Sequence, residues 1–315
     1  MLQMQSNNAF TAKPTLFSIT HNNHKITSSS SSSSSSTSTN NKIKSNSPNT
    51  KRLLSSQSQE ENNVSSTMED VGFILLAGGT GSRMKANMPK QFLTLRGISV
   101  LQHSLNLLLD TIPSFLGSNK GPAKVILVID PKYQSDYSEL VTKYGGKLVL
   151  ANPGIERQGS VENGLDKLIE STTANGDDDT KCIYVAVHDS ARPLVTIQEI
   201  LNVVSDAREH GAAVLGVPCK ATIKESDDGT FVQRTIQRSR LWEVHTPQVI
   251  KIDSLKRGFD KVAKENLEVT DDVSIIEALG EPVKLTLGGY TNIKITTPED
   301  MEVADSILSA RVDHH

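Results

Sequence analysis

Val71-Gly72-Phe73-Ile74-Leu75-Leu76-Ala77-Gly78-Gly79-Thr80-Gly81-Ser82-Arg83-Met84 is a short apolar run that opens into a glycine-rich loop. The first six residues have the length and composition of a buried strand. The small residues after them let backbone N–H groups approach an anion with no Cβ in the way. Arg83 adds a planar fork suited to bidentate phosphate binding. Lys90, in Pro89-Lys90-Gln91, adds a mobile point charge further along. The stretch is not a Walker loop, because GxxxxGK[ST] is absent. It also departs from a dinucleotide loop: Met84 stands where the third glycine of GxGxxG belongs, and residues 98–104 hold no acid. Glycines together with Arg83 and Lys90 point to a phosphate cradle rather than to a plain strand-to-loop turn.

Working outward, apolar runs alternate with helical patterns. Strands are predicted at 71–76, 124–129, 147–150, 183–187, 212–217, 283–287 and 292–296. Helices are predicted at 100–109, 160–169, 197–209, 252–262, 272–279 and 298–311. Continuous β-branched runs, each followed by a helix, imply a mostly parallel sheet with helices on both faces. In such α/β sheets ligands bind at the carboxyl ends of the strands. Residues 222–246 break the pattern and read as a polar β-hairpin with a turn at Asp228-Gly229. A projecting arm that pairs with another subunit and an exposed edge ribbon both fit it.

The N-terminal segment is of a different kind. Residues 1–59 carry six basic residues and no acid, and Ser28 to Ser36 are nine consecutive serines. Such a segment cannot bury enough apolar surface to order itself. Basic, serine-rich and acid-free is the composition of an organelle transit peptide, chloroplast type in particular. The expected division is a leader and linker over 1–70 and a single α/β domain over 71–315. Set against the net −3 of the whole chain, the six leader charges leave −9 on the rest. A body that acidic disfavours nucleic acid as a partner. No apolar run approaches the ~18 residues of a membrane span. Cys182 and Cys219 sit in apolar runs with no CxxC, and read as buried thiols.

Three further motifs carry candidate chemistry. His188-Asp189-Ser190-Ala191-Arg192-Pro193 follows a strand, and Asp189 suits a divalent cation there; it equally suits a helix cap or an ion pair with Arg192. Gly154-Ile155-Glu156-Arg157-Gln158-Gly159-Ser160-Val161 could bond a base or ribose, although spacing alone favours a helix cap at Gly159 or Ser160. Arg238, Thr246 in Thr246-Pro247-Gln248, Thr270 in Thr270-Asp271-Asp272, and Lys294 complete the set. Lys294 alternates with Ile293 and Ile295 and faces away from them.

In their order and spacing these motifs resemble one family, the 2-C-methyl-D-erythritol 4-phosphate cytidylyltransferases of the non-mevalonate isoprenoid pathway. The resemblance covers essentially all of residues 71–315, and the leader matches the plastid form that plants carry. It implies a Rossmann-like nucleotidyltransferase fold and a homodimer formed through the β-arm. It implies CTP and a sugar-alcohol phosphate as substrates, Mg²⁺ or another divalent cation as cofactor, and the chloroplast stroma as location. Arg83 and Lys90 would stabilise charge at the α-phosphate, and Arg238 and Lys294 would position the attacking phosphate. Ala77, Gly78, Gly79, Thr80, Gly81, Gly154 and Ser160 would hold the nucleotide. Asp189, Arg192, Thr246 and Thr270 would line the substrate pocket, Asp189 near the metal, with Arg238 and Thr246 reaching in from the partner's arm. Gly78 and Ser190 stand where the family commonly has Ala. A pentitol-phosphate cytidylyltransferase of the same fold would share the loop and differ around Arg238, Thr246, Thr270 and Lys294. A non-catalytic nucleotide-binding regulator would have no need of both halves of the site.

Overall fold

The computed structural model describes residues 67–79, 88–117, 120–173 and 182–312. The serine-rich leader and the loop residues Thr80, Gly81 and Arg83 lie outside the described residues. The chain opens with β1 (Val71–Leu76), a 3-10 turn at Lys90–Phe92, and the small pair β2 (Thr94–Leu95) and β3 (Ile98–Ser99). Helix α1 (Val100–Asn106) runs through a π-turn at Leu107–Thr111 into α2 (Ile112–Leu116). There follow β4 (Lys124–Val128), α3 (Pro131–Gln134), α4 (Ser138–Tyr144), β5 (Leu148–Ala151), α5 (Arg157–Thr173), β6 (Tyr184–Asp189), α6 (Ile197–His210) and β7 (Ala212–Pro218). The two-residue strands β8 (Lys224–Glu225) and β9 (Arg234–Thr235) form the arm. The chain then returns through β10 (Trp242–Lys251), α7 (Ile252–Glu265), α8 (Asp272–Ala278), β11 (Lys284–Leu287) and α9 (Pro298–Val312).

Seven strands make one sheet in the order β11-β7-β10-β6-β1-β4-β5. All neighbours are parallel except β10, which runs antiparallel to both β6 and β7. Side chains alternate along β1. Phe73 and Leu75 join Leu101, Leu105, Ile200 and Val204 under α1 and α6. Ile74 joins Leu165, Leu168, Leu255 and Ile275 under α5, α7 and α8. Both faces are therefore covered, which is why the strands read as unbroken apolar runs. Gly72 shares the face of Ile74, where a Cβ would lie 2.5 Å from the Leu168 side chain. Both cysteines are buried and free, and burial pushes the Cys182 thiol up to about 12.

The structure corrects the sequence reading in four places. Strand β10 was not expected: Pro247 argues against a central strand, but it falls where the β10–β7 register shifts between Val244 and Gln248, so no ladder bond is lost to it. The arm consequently ends before Trp242, and residues 242–246, including Thr246, belong to the sheet of their own chain. Residues 292–296 form no strand. Ile295 donates to the Ala191 carbonyl at 2.8 Å, an isolated tie rather than a ladder. Residues 67–70, expected in the linker, are part of the fold. Met68 is fully buried, Asp70 pairs with Arg208, and Arg208 also donates to the Thr67 carbonyl.

Candidate active site

Strand β1 lies between β6 and β4, so the chain leaves β1 toward one edge of the sheet and later returns on its other side. That reversal opens a crevice at the carboxyl ends of the strands. Leu76 and Asp189 are register partners there, so the glycine loop and the His188–Arg192 corner emerge side by side. Ser190 fastens the two, its N–H and hydroxyl both donating to the Leu76 carbonyl at 3.1 and 2.7 Å.

The corner is held by a chain of hydrogen bonds whose polarity can be worked out. The Asp189 N–H donates to Thr246 Oγ1, and Thr246 Oγ1 lies 3.0 Å from His188 Nδ1. His188 Nε2 lies 3.2 Å from the Arg192 carbonyl, which only accepts. Nε2 therefore carries the proton, and Nδ1 accepts from Thr246. Burial lowers the His188 pKa to about 4, which keeps the ring neutral. Arg192 is likewise buried and donates to the Asn292 carbonyl at 2.7 Å, while Asn292 Nδ2 donates to the Thr246 carbonyl. Thr246 and Arg192 thus brace the corner from inside the same chain.

Asp189 itself faces a cavity of about 420 Å³. Its Oδ2 lies 2.7 Å from Lys294 Nζ, and its Oδ1 lies 3.6 Å from Arg157. Burial would raise its carboxyl, but the two cations override that and hold it at about 2. The alternative pairing with Arg192 does not form a direct contact, because the Arg192 fork points to backbone carbonyls. Arg157 grips buried Asp272 through two N–H···O bonds of 2.5 and 2.8 Å, a bidentate pair. Its guanidinium stays charged well above the ordinary value, since Asp272 outweighs the effect of burial. Opposite, Lys90 Nζ donates to the Ile295 carbonyl at 2.8 Å, one residue from Lys294.

The third wall is the start of α5, which begins at Arg157, three residues before the predicted Ser160. Ser160 is no cap. Its hydroxyl accepts from the Gly154 N–H and donates to the Glu156 carbonyl, each at 3.0 Å, closing the loop onto the first turn. Gly154 is obligatory there, because a Cβ would meet the Gly159 backbone at 2.4 Å. The N–H groups at the start of this 17-residue helix favour negative charge beside them.

Of the residues singled out in the sequence, Ala77, Gly78, Gly79, Lys90, Gly154, Ser160, Asp189 and Lys294 line this cavity. Arg192 and Thr246 stand behind it. Thr270 is exposed just before α8, and Arg238 sits in the 3-10 turn between the arm and β10, donating to the Lys220 carbonyl. Arg157, Asp272 and Gln91 were quoted within motifs but given no role. Their partners lie 115, 115 and 14 residues away, so spacing held no sign of them.

The sequence model of the family described as "IspD: 2-C-methyl-D-erythritol 4-phosphate cytidylyltransferase" matches residues 71–310. The chain belongs to that family. Among its relatives, the "2-C-methyl-D-erythritol 4-phosphate cytidylyltransferase, chloroplastic" of Oryza sativa subsp. japonica is 44% identical over 241 residues, 76% of this chain and 75% of that protein. The 2-C-methyl-D-erythritol 4-phosphate cytidylyltransferase of Desulforamulus reducens is 37% identical, over 78% of this chain and 98% of its own. The crystal structure of the Francisella tularensis family member superimposes with a TM-score of 0.59 at 29% identity, over 75% of this chain and 98% of that one. The enzyme of Anaerococcus prevotii gives 0.62 at 25% identity, over 78% and 98%. The chain accordingly moves CMP from CTP to 2-C-methyl-D-erythritol 4-phosphate. The products are 4-diphosphocytidyl-2-C-methyl-D-erythritol and pyrophosphate, in isoprenoid precursor biosynthesis. Among the described residues no helix is long and apolar enough to cross a membrane.

Proposed function

We propose that cytidylyl transfer takes place in the cavity between the glycine loop, the His188–Arg192 corner and the start of α5. One observation carries this reading. Lys90, Arg157 and Lys294 line a single space with Asp189 and Glu156, three cations against two carboxylates, and the amino end of α5 adds partial positive charge. Such a space attracts a polyanion. The nucleophile is a substrate phosphate oxygen, ionised at neutral pH, which attacks the α-phosphorus of CTP as the α–β anhydride bond breaks and pyrophosphate leaves. No strong general base is needed, so catalysis is positioning and charge neutralisation.

In this reading Arg83 and Lys90 stabilise charge at the α-phosphate, Lys294 and Arg238 orient the attacking phosphate, and Thr270 contributes at the rim. Ala77 to Gly81, Gly154 and Ser160 surround the nucleotide. Arg192 and Thr246 contribute by holding Asp189. Arg238 stands in the turn at the base of an arm that exposes Phe231 and Val232, which supports a homodimer in which the arm reaches the partner's site. Among the described residues no three His, Cys, Asp or Glu side chains gather to hold a metal by themselves. Mg²⁺ held by one carboxylate, substrate phosphates and waters needs no such cage, and Asp189 is placed to be that carboxylate. Bound there, the cation would neutralise triphosphate charge. The leader composition and the chloroplastic rice relative support residence in the plastid stroma; uptake of the full chain, but not of residues 67–315, by isolated chloroplasts checks it.

The test of the site is pyrophosphate release by purified Lys90→Ala and Arg83→Ala enzymes. Removing a pre-organised charge of this kind lowers the rate by about 10²–10³. Turnover near wild type in either variant would remove the assignment.

A further inference from the structure

Gln91 is the polar side chain nearest the glycine loop that the transfer mechanism leaves without a task. It lies 3% exposed on the 3-10 turn beside Lys90. Its Nε2 donates to the Ala77 carbonyl at 2.7 Å and to the Gly79 carbonyl at 3.2 Å, so both amide hydrogens are committed to the loop. A three-residue turn has no need of bonds to a backbone 12 and 14 residues earlier. The pairing serves the loop.

The consequence follows from the peptide plane, in which C=O and N–H point in opposite directions. Drawing the Ala77 carbonyl onto Gln91 aims the Gly78 N–H the other way. Gly78 and Gly79 are exposed and line the cavity, and among the described residues neither N–H donates to a protein acceptor. Pro153 closes the remaining side of Gly78, where a Cβ would meet it at 2.8 Å. Gln91 also shares its short turn with Lys90, so the same amide sets the distance between the loop and that cation.

We propose that Gln91 is a positioning residue for the nucleotide: by holding the Ala77 carbonyl inward it presents the Gly78 N–H to the triphosphate of CTP. This rests on the reading of the cavity as the transfer site and names what keeps its phosphate cradle open. Gln91 itself need not touch CTP.

The experiment is steady-state kinetics of Gln91→Glu and Gln91→Met, with CTP and the acceptor phosphate varied separately and Lys90→Ala run alongside. Loss of the cradle raises the KM for CTP about 10- to 100-fold, the equivalent of one hydrogen bond to a charged group. The acceptor KM stays within about twofold, since the bonds of Gln91 run to the loop carbonyls and not to Lys294 or Arg238, which orient the acceptor phosphate. The Glu variant adds a signature that general loosening would not produce. A protonated carboxyl donates to a loop carbonyl, whereas a carboxylate repels it. Its CTP KM, as a ratio to wild type, therefore improves as pH falls from 8 to 6, and that of Gln91→Met does not. Should the Glu variant fail to fold, the Met variant's selective rise in CTP KM carries the test. Two outcomes overturn the proposal while Lys90→Ala remains impaired: CTP KM values within about twofold of wild type, or a pH-independent ratio in a folded Glu variant. If Lys90→Ala is also near wild type, it is the site assignment that falls.

Discussion

Asp189 and His245 show how single residues near the site are held in one charge state. Asp189 is kept ionised by Lys294 and Arg157 despite its burial. His245, one residue before the Thr246 that braces it, is kept neutral: burial first, and then the Arg192 cation, lower its pKa from 6.5 to about 4. Among the described residues its buried Nδ1 has no hydrogen-bond partner, so nothing there welcomes a proton. The sign of the pH effect follows. Below pH 6.5 the unfolded chain takes up the proton and the folded chain does not. The stability associated with His245 is thus complete above pH 6.5 and is lost as pH falls toward 4, by up to about 3 kcal/mol. His188 behaves in the same sense, with a pKa also near 4. Urea unfolding at pH 7 and pH 4.5 should show a marked drop for the wild type. In His245→Gln roughly half of that drop should disappear, since His188 still contributes the rest. An unchanged drop would mean that His245 is not held neutral by the fold.

At the scale of elements, the segment 67–70 sets where the folded body begins. Met68 fills the core under α2, its N–H donates to the Lys120 carbonyl, and Asp70 joins Arg208 on α6. The Asp70 carbonyl also accepts from Ile183 and Tyr184 at the entry to β6. A chain starting at Thr67 should melt with the full-length protein. One starting at Val71 loses a buried methionine and an ion pair, about 3 kcal/mol or more, which lowers Tm by roughly 6–12 °C; equal melting of the two truncations would contradict this. The family match begins at residue 71, as the sequence reading did, because only from Val71 does the apolar run announce a strand. Runs such as 124–128 and 212–218 were legible because strands covered on both faces need unbroken apolar sequence. Strand β10 was hidden by Pro247, whose tolerance depends on a register shift that only the pairing with β7 reveals. At the site, Lys90, Asp189 and Lys294 were legible as charged residues inside motifs whose order and spacing resemble one family, although the predicted strand around Lys294 did not form. Gln91 and the Arg157–Asp272 pair could not, since their roles exist only once distant segments meet.

For the whole molecule, the question is whether one chain makes a complete site. Lys294 reaches Asp189 within its own chain, whereas Arg238 stands at the base of an arm whose tip exposes Phe231 and Val232. An arm of two two-residue strands buries little of itself and would gain stability from another surface. If that surface is a second copy, symmetry makes the exchange mutual, and each cavity combines Lys294 of one protomer with the arm of the other. Complementation between two defective chains can decide it. Arg238→Ala and Lys294→Ala homodimers should each be severely impaired. Co-expressed with different tags, they form mixed dimers in which one cavity carries both defects and the other carries neither. With random pairing, half the dimers are mixed and half the sites in those are intact, so activity returns to about a quarter of wild type. If Arg238 acted within its own chain, no mixed dimer would contain an intact site, and co-expression would restore nothing.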